Sequence, residues 1–316
     1  MSQPSCALPA QAYNIELLHE DGCTGPESHG WCFGLPPGIS PEQWPLDPST
    51  GYPLVHGFTL RLPPDYRCHG SEIAGLSFFA CCSEHSDGGT APDAAIRATM
   101  TGSAAPADPR YLPLWNAVQE THPRLSRMTD DVFDDNYAVI LLTEAELDGP
   151  LCRPPDATAA RALSRHAAPS WFETGSGRVF FDSLVGDSHR NSVFKIFGCV
   201  PEARLDWSRG LHWSPRAHDP NAGEAPQDPF TGDKLAGYQQ PYYYEGGVIA
   251  MENYRKHAWT EEHAPNHIGG TMRPVQGTPR FSPFYIEFEE YLGGYNFGGG
   301  NAQFDFLNMK LDWACG

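Results

Sequence analysis

Short runs of β-branched and aromatic residues, each fenced by glycine or proline, set the limits on what this chain can build. Residues 54–62 form one such run, ended by Pro63-Pro64. Further runs span 73–82, 137–142 (after Asp134-Asp135-Asn136), 177–181, 193–199 and 248–251 (after Gly246-Gly247). Two segments near the C-terminus carry period-2 patterning. In 284–290, Phe284, Ile286 and Phe288 face one way while Tyr285, Glu287 and Glu289 face the other, which predicts a half-buried strand. In 303–313, the alternation of Phe304 and Phe306 changes phase to Leu307, Met309, Leu311 and Trp313, which predicts one strand with a bulge near Phe306-Leu307.

Helical signals are few and short. Pro41–Gln43 reads as a single turn behind a Ser40 cap. Residues 112–122 place Leu114, Trp115 and Val118 at helical spacing. Thr143-Glu144-Ala145-Glu146 has the form of a capping start, and 157–166 is rich in alanine and arginine. Gly (32) and Pro (30) make up about a fifth of the 316 residues, high for a globular chain but below the level of low complexity. They concentrate in two long connections, 83–108 and 213–241. The length suits one large domain over 1–316, or two lobes of about 1–150 and 151–316.

Charge narrows the partners. The formal net charge is −18, with 21 Lys plus Arg against 39 Asp plus Glu. Such a surface disfavours direct nucleic-acid binding and docking on anionic lipid. The first ten residues have no basic start and no apolar run, so no secretory signal is expected there, and 73–82 is too short to span a bilayer. The expected location is the cytoplasm. Nine cysteines at irregular spacing, with no Cys-x-x-Cys pair, fit buried reduced thiols rather than a disulfide framework.

Two groups of motifs resemble the YwqG-like family of bacterial proteins. The first is Phe33-Gly34-Leu35-Pro36-Pro37-Gly38, then Trp44-Pro45, Asp47 and Gly51-Tyr52-Pro53-Leu54, leading into a strand with Phe58. The second is His267-Ile268-Gly269-Gly270, then Pro274-Val275-Gln276, with Gly298-Gly299-Gly300-Asn301 as a hairpin turn between two later strands. Thr271-Met272-Arg273 stands where the family usually has a proline soon after the glycines, and the cysteine knuckles of some members are absent. The resemblance implies an α+β, β-rich fold of mainly antiparallel sheet with a few short helices, and room for two related halves. It also implies no established reaction; some members are toxin immunity proteins. Physically these motifs are structural: glycines supply positive φ, prolines pre-set turns, and Trp44 anchors a turn to the core.

Candidate chemistry is sparse. His257, His263 and His267, with Glu261 and Glu262, could ligate zinc for a metal-dependent hydrolase, although Pro265 breaks any helix that would carry them. Cys68-His69 with Cys81, Cys82 and His85 is a weaker thiol–imidazole group, as is His19, Cys23, His29 and Cys32. Asp219-Pro220-Asn221-Ala222-Gly223-Glu224 fails as a calcium loop, because its glycine falls at the fifth position. No nucleophile elbow, phosphate loop or dinucleotide fingerprint occurs. Acidic residues interleaved with aromatics remain: Asp130, Asp131, Asp134 and Asp135; Tyr243, Tyr244 and Glu245; and Glu287 with Glu289. Carboxylates steer encounter with a basic protein and tyrosines give contact area. Taken with the resemblance, the expected function is an immunity protein that neutralises a basic toxin, such as a nuclease effector of a type VI secretion system, with no cofactor.

Overall fold

A computed structural model describes residues 7–21, 28–81, 91–129, 134–227 and 238–316. The strands are β1 (Tyr13–Asp21), β2 (Gly30–Phe33), β3 (Val55–Arg61), β4 (Ile73–Ala80), β5 (Leu125–Thr129), β6 (Asn136–Thr143), β7 (Ser208–Pro215), β8 (Tyr242–Tyr244), β9 (Tyr254–Lys256), β10 (His267–Ile268), β11 (Tyr285–Glu289), β12 (Asn301–Asp305) and β13 (Lys310–Ala314). The helices are α1 (Ala94–Thr101), α2 (Leu112–Gln119), α3 (Glu144–Leu147), α4 (Thr158–Leu163), α5 (Trp171–Thr174), α6 (Ser176–Ser183) and α7 (Asp187–Phe197). Eleven strands form one sheet in the order β13-β12-β11-β10-β1-β7-β2-β3-β4-β6-β5, and every neighbouring pair is antiparallel. β8 and β9 make a separate two-stranded ribbon. The fold is thus β-rich and antiparallel with short helices.

The sheet curls almost into a barrel, and the aromatic core shows how. Phe78 of β4 stacks on Phe58 of β3 at 5.3 Å, yet it also meets Phe288 of β11 at 5.4 Å and Phe304 of β12 at 5.7 Å. These strands are far apart in the sheet order, so only strong curvature brings their side chains together. The edge strands β5 and β13 approach each other accordingly. On β6, Tyr137, Val139 and Leu141 enter this interior core. Their alternates Ala138, Ile140 and Leu142 join a second core on the outer face, with Trp44, Phe79 and Trp171. A strand buried on both faces reads as one continuous apolar run, which is why 73–82 and 137–142 stood out in the sequence.

The turn motifs fold as their residue types require. Gly34, Gly38, Gly51, Gly269 and Gly270 all adopt positive φ. At Gly38 a side chain would run into the backbone of Glu146, so glycine is needed there for space as well as conformation. Trp44 is 2% exposed; its Nε1 donates to the Leu54 carbonyl at 2.8 Å and its ring lies parallel to Trp171. Asp47 is buried, accepting from the Ser49 amide (2.9 Å), the Thr50 hydroxyl (2.7 Å) and Asn136 Nδ2 (2.9 Å). Thr143 and Glu146 form the expected capping box.

Several elements differ from the sequence expectation. Residues 177–181 and 193–199 are mostly helical, in α6 and α7. Val193, Ile196 and Phe197 have helical i, i+3, i+4 spacing, and Gly198 closes α7 in the left-handed conformation, so burial of one face overrides β-propensity. Residues 248–251 are not a strand; they form the tip between β8 and β9. The phase change in 303–313 is a hairpin turn joining β12 to β13, with Met309 at φ 52, rather than a bulge. The connection 83–108 contains α1, capped by Asp93; its residues 83–90 lie outside the described ones. The connection 213–241 starts inside β7, and 228–237 lie outside the described residues.

Candidate binding surface and the polar row beneath it

One face of β11 builds the interior core; the other builds a row of paired polar residues. Asn14 of β1 lies opposite His267 of β10, His267 opposite Glu287 of β11, and Glu287 opposite Gln303 of β12. Alternation along β11 therefore follows the sequence reading, but the polar face is covered. Tyr285 and Glu287 are both buried. The cover comes from the turn after β7 and from the loop that follows Gly270. A strand expected to be half-buried is buried on both sides.

Asp219 ties the cover down. Its carboxylate accepts from Arg216 Nη1 (2.8 Å), the Thr271 amide (2.9 Å), the Thr271 hydroxyl (2.7 Å) and the Asn221 amide (3.0 Å). Burial works to raise its pKa, but Arg216 and the Thr271 donors hold the carboxyl below its ordinary range. Arg216 also donates to Asn14 Oδ1 at 2.7 Å and to the Ala264 carbonyl at 3.2 Å, so its buried charge is well satisfied.

His267 and Glu287 face each other across the row. His267 Nδ1–H donates to the Gly269 carbonyl at 2.9 Å. Burial, with Arg216 nearby, keeps the imidazole neutral by lowering its pKa well below the ordinary value. Its Nε2 is then a lone pair, 3.5 Å from Glu287 Oε1. Burial pushes Glu287 up to about 8, so near neutrality the carboxyl is largely protonated beside that lone pair. The Glu287 oxygens also accept from the Arg273 amide at 2.8 and 3.2 Å.

Above this network the β8–β9 ribbon projects its tip. Tyr242, Tyr244 and Tyr254 pack on one another, with Tyr242 and Tyr254 stacked at 5.2 Å. Arg255 braces the ribbon by donating to Glu245 at 2.7 Å and to the Glu252 carbonyl at 2.7 Å. The tip itself is apolar and open: Val248 is 60%, Ile249 80% and Met251 83% exposed; Tyr243, on β8, is exposed too and packs against His257. Asn253 Nδ2 donates to the Val248 carbonyl at 3.1 Å, holding the tip in shape.

The residues expected to meet a partner are dispersed. Asp130 and Asp131 lie outside the described residues. Asp134 is exposed and pairs with Arg97 at 3.1 Å, and Asp135 is half-buried beside it. Tyr243, Tyr244 and Glu245 sit on the ribbon. Glu289 is partly buried, and its pKa is raised, chiefly by burial. Glu287 belongs inside the protein and presents nothing to a partner, because the cover over β11 encloses it. The sequence reading assigned no site role to Arg216, Asp219, Arg273, Val248, Ile249 or Met251. A signal for Asp219 did exist: Asp219-Pro220-Asn221-Ala222-Gly223 repeats the Asp-Pro-x-x-Gly of residues 47–51.

The three histidines do not converge. His267 is within the polar row. His263 Nε2 donates to the His218 carbonyl at 2.9 Å. His257 stacks on Trp259, which also contacts the His263 ring, so an indole packs against both imidazoles. Among the described residues no three His, Cys, Asp or Glu side chains are placed to hold a metal ion. The lesser groups fare similarly: His69 meets the Phe306 carbonyl at 2.6 Å, Cys68 and Cys32 are buried, and His29 stacks on Trp213. The side chain of His19 and residues Cys23, Cys82 and His85 lie outside the described ones.

No helix among the described residues is long and apolar enough to cross a membrane. Compared with family models, with curated proteins and with solved structures, the chain matches none.

Proposed function

We propose that this chain is a binding protein: a cytoplasmic immunity factor of the YwqG-like kind that neutralises a cognate basic toxin, such as a nuclease effector of a type VI secretion system, by stoichiometric complex formation. The observation that carries the reading is the ribbon tip. Val248, Ile249 and Met251 are exposed apolar side chains close in sequence on a braced support, and Tyr243 of the same ribbon is exposed too. Exposed apolar patches that include aromatic residues are the usual centres of protein interfaces. A net charge of −18 adds long-range attraction for a cationic partner. In this reading the tip supplies contact energy, while the acids, Asp134 among them, supply steering.

The two halves fit the same family reading. Asp47 and Asp219 each accept from the amide two residues on, at 2.9 and 3.0 Å, and each turn ends on a glycine of positive φ, Gly51 and Gly223. We read these as equivalent turns of two related halves.

The test is co-expression with the product of the adjacent gene. Protection of the cells and co-purification of a 1:1 complex are expected, with both reduced by Ile249→Glu together with Met251→Glu. Absence of any complex at low salt sinks the reading.

A further inference from the structure

Beside the ribbon is a pocket of about 480 Å³, within the size range of small-molecule sites. Its lining includes Tyr242, Tyr254, Lys256, Met272, Arg273 and Val275. The guanidinium of Arg273 is the unusual member. Nη2 donates to the Thr260 carbonyl at 2.6 Å, whereas Nε is buried with no acceptor. Among the described residues no carboxylate lies within ion-pair distance of it. The nearby acid, Glu287, accepts from the Arg273 backbone amide instead. A half-buried cation without a directly paired carboxylate is costly, and proteins normally supply one. Burial and the neighbouring Arg216 pull its pKa down, outweighing the more distant Glu287 and Asp219.

We propose that this pocket binds a small organic carboxylate with an apolar or aromatic body. The planar carboxylate would pair with the Arg273 guanidinium, which offers N–H donors in a fixed fork. Lys256, exposed at the rim, adds a second positive charge. The stacked Tyr242 and Tyr254 rings, with Met272 and Val275, form walls suited to the body of the ligand. This site is independent of the toxin-binding reading, because it needs neither the ribbon tip nor a protein partner.

Calorimetric titration of the full chain with phenylacetate and with its neutral analogue phenylacetamide tests the proposal. Phenylacetate is expected to saturate one site, with phenylacetamide at least tenfold weaker. Arg273→Gln should weaken phenylacetate at least tenfold. Val275→Trp, at an exposed position on the wall, should obstruct the pocket and weaken it as much while leaving the fold intact, so the test stands even where the Arg273 variant fails to fold. No saturable binding, equal binding of acid and amide, or undiminished binding to Val275→Trp overturns the proposal.

Discussion

Replacing Glu287 by glutamine probes the buried polar row through its response to pH. Burial holds this carboxyl at about 8, against an ordinary value of 4.5. A raised acid pKa means that the folded state keeps a proton the unfolded chain has released. Stability then falls as pH rises, from the unfolded value up to the folded one. The window must avoid the buried histidines. His56 and His267 have lowered pKa values, through burial, so between their folded values and 6.5 they work in the opposite direction. By pH 8.0 they are neutral in both states, and their remaining titration just above pH 6.5 is common to wild type and variant, so it cancels in the comparison. At 1.36 kcal/mol per unit, allowing for half-ionisation at the upper end, wild type should lose about 2 kcal/mol across pH 6.5 to 8.0 through Glu287. Glutamine preserves the acceptor for the Arg273 amide, now 2.8 Å away, and its amide N–H can face His267 Nε2 in place of the carboxyl proton. Urea unfolding of both proteins at pH 6.5, 7.2 and 8.0 gives the difference in unfolding free energy. That difference should shift in favour of the variant by about 2 kcal/mol. A difference that stays constant with pH would falsify the protonated-Glu287 arrangement.

Other perturbations have equally definite outcomes. Asp219→Asn leaves Arg216 buried without its carboxylate and should cost about 3–5 kcal/mol by denaturant unfolding, with the cover over β11 lost first in hydrogen exchange. Trp44→Ala removes a ring packed on Trp171 and Phe79 and should cost about 3–5 kcal/mol in the same assay. Glu146 behaves in the opposite sense to Glu287. Although burial works to raise it, the Thr143 donors, Arg124 and His122 bring its pKa down to about 2. Its contribution is complete above 4.5 and disappears as pH falls toward 2, so Glu146→Gln should flatten acid unfolding in that interval, seen by circular dichroism.

Much of the framework was legible in the sequence because local signals agreed with the tertiary structure. The runs in β4 and β6 are apolar on both faces, and both faces are buried. The Trp44-Pro45 turn and the capping box at Thr143 are local devices whose residues determine their geometry. The errors arise where one rule outweighed another. In α7 the β-branched and aromatic content suggested a strand, while the spacing of Val193, Ile196 and Phe197 and the following Gly198 already spelled a helix. Glu287 is a different case. Alternation identifies which face it occupies, but not that the chain after β7 returns to cover that face, because the covering contacts join residues far apart in sequence, 52 apart for Asp219 and Thr271 and 202 apart for Arg216 and Asn14. The tip of the ribbon reversed the usual inference. Val248, Ile249 and Met251 are apolar and β-rich in type, which suggests a strand, whereas they form an exposed tip that follows Gly246 and Gly247, both at positive φ.

The central claim is that the ribbon tip meets a basic protein partner. Titration of the adjacent gene's product into this chain, followed by calorimetry at two salt concentrations, tests it most directly. The account predicts a 1:1 complex that weakens with salt, and at least a tenfold loss of affinity in Ile249→Glu/Met251→Glu with an unchanged melting temperature, since both side chains are exposed. A complex of undiminished affinity in that variant would contradict the placement of the interface, and no complex with wild type would contradict the function.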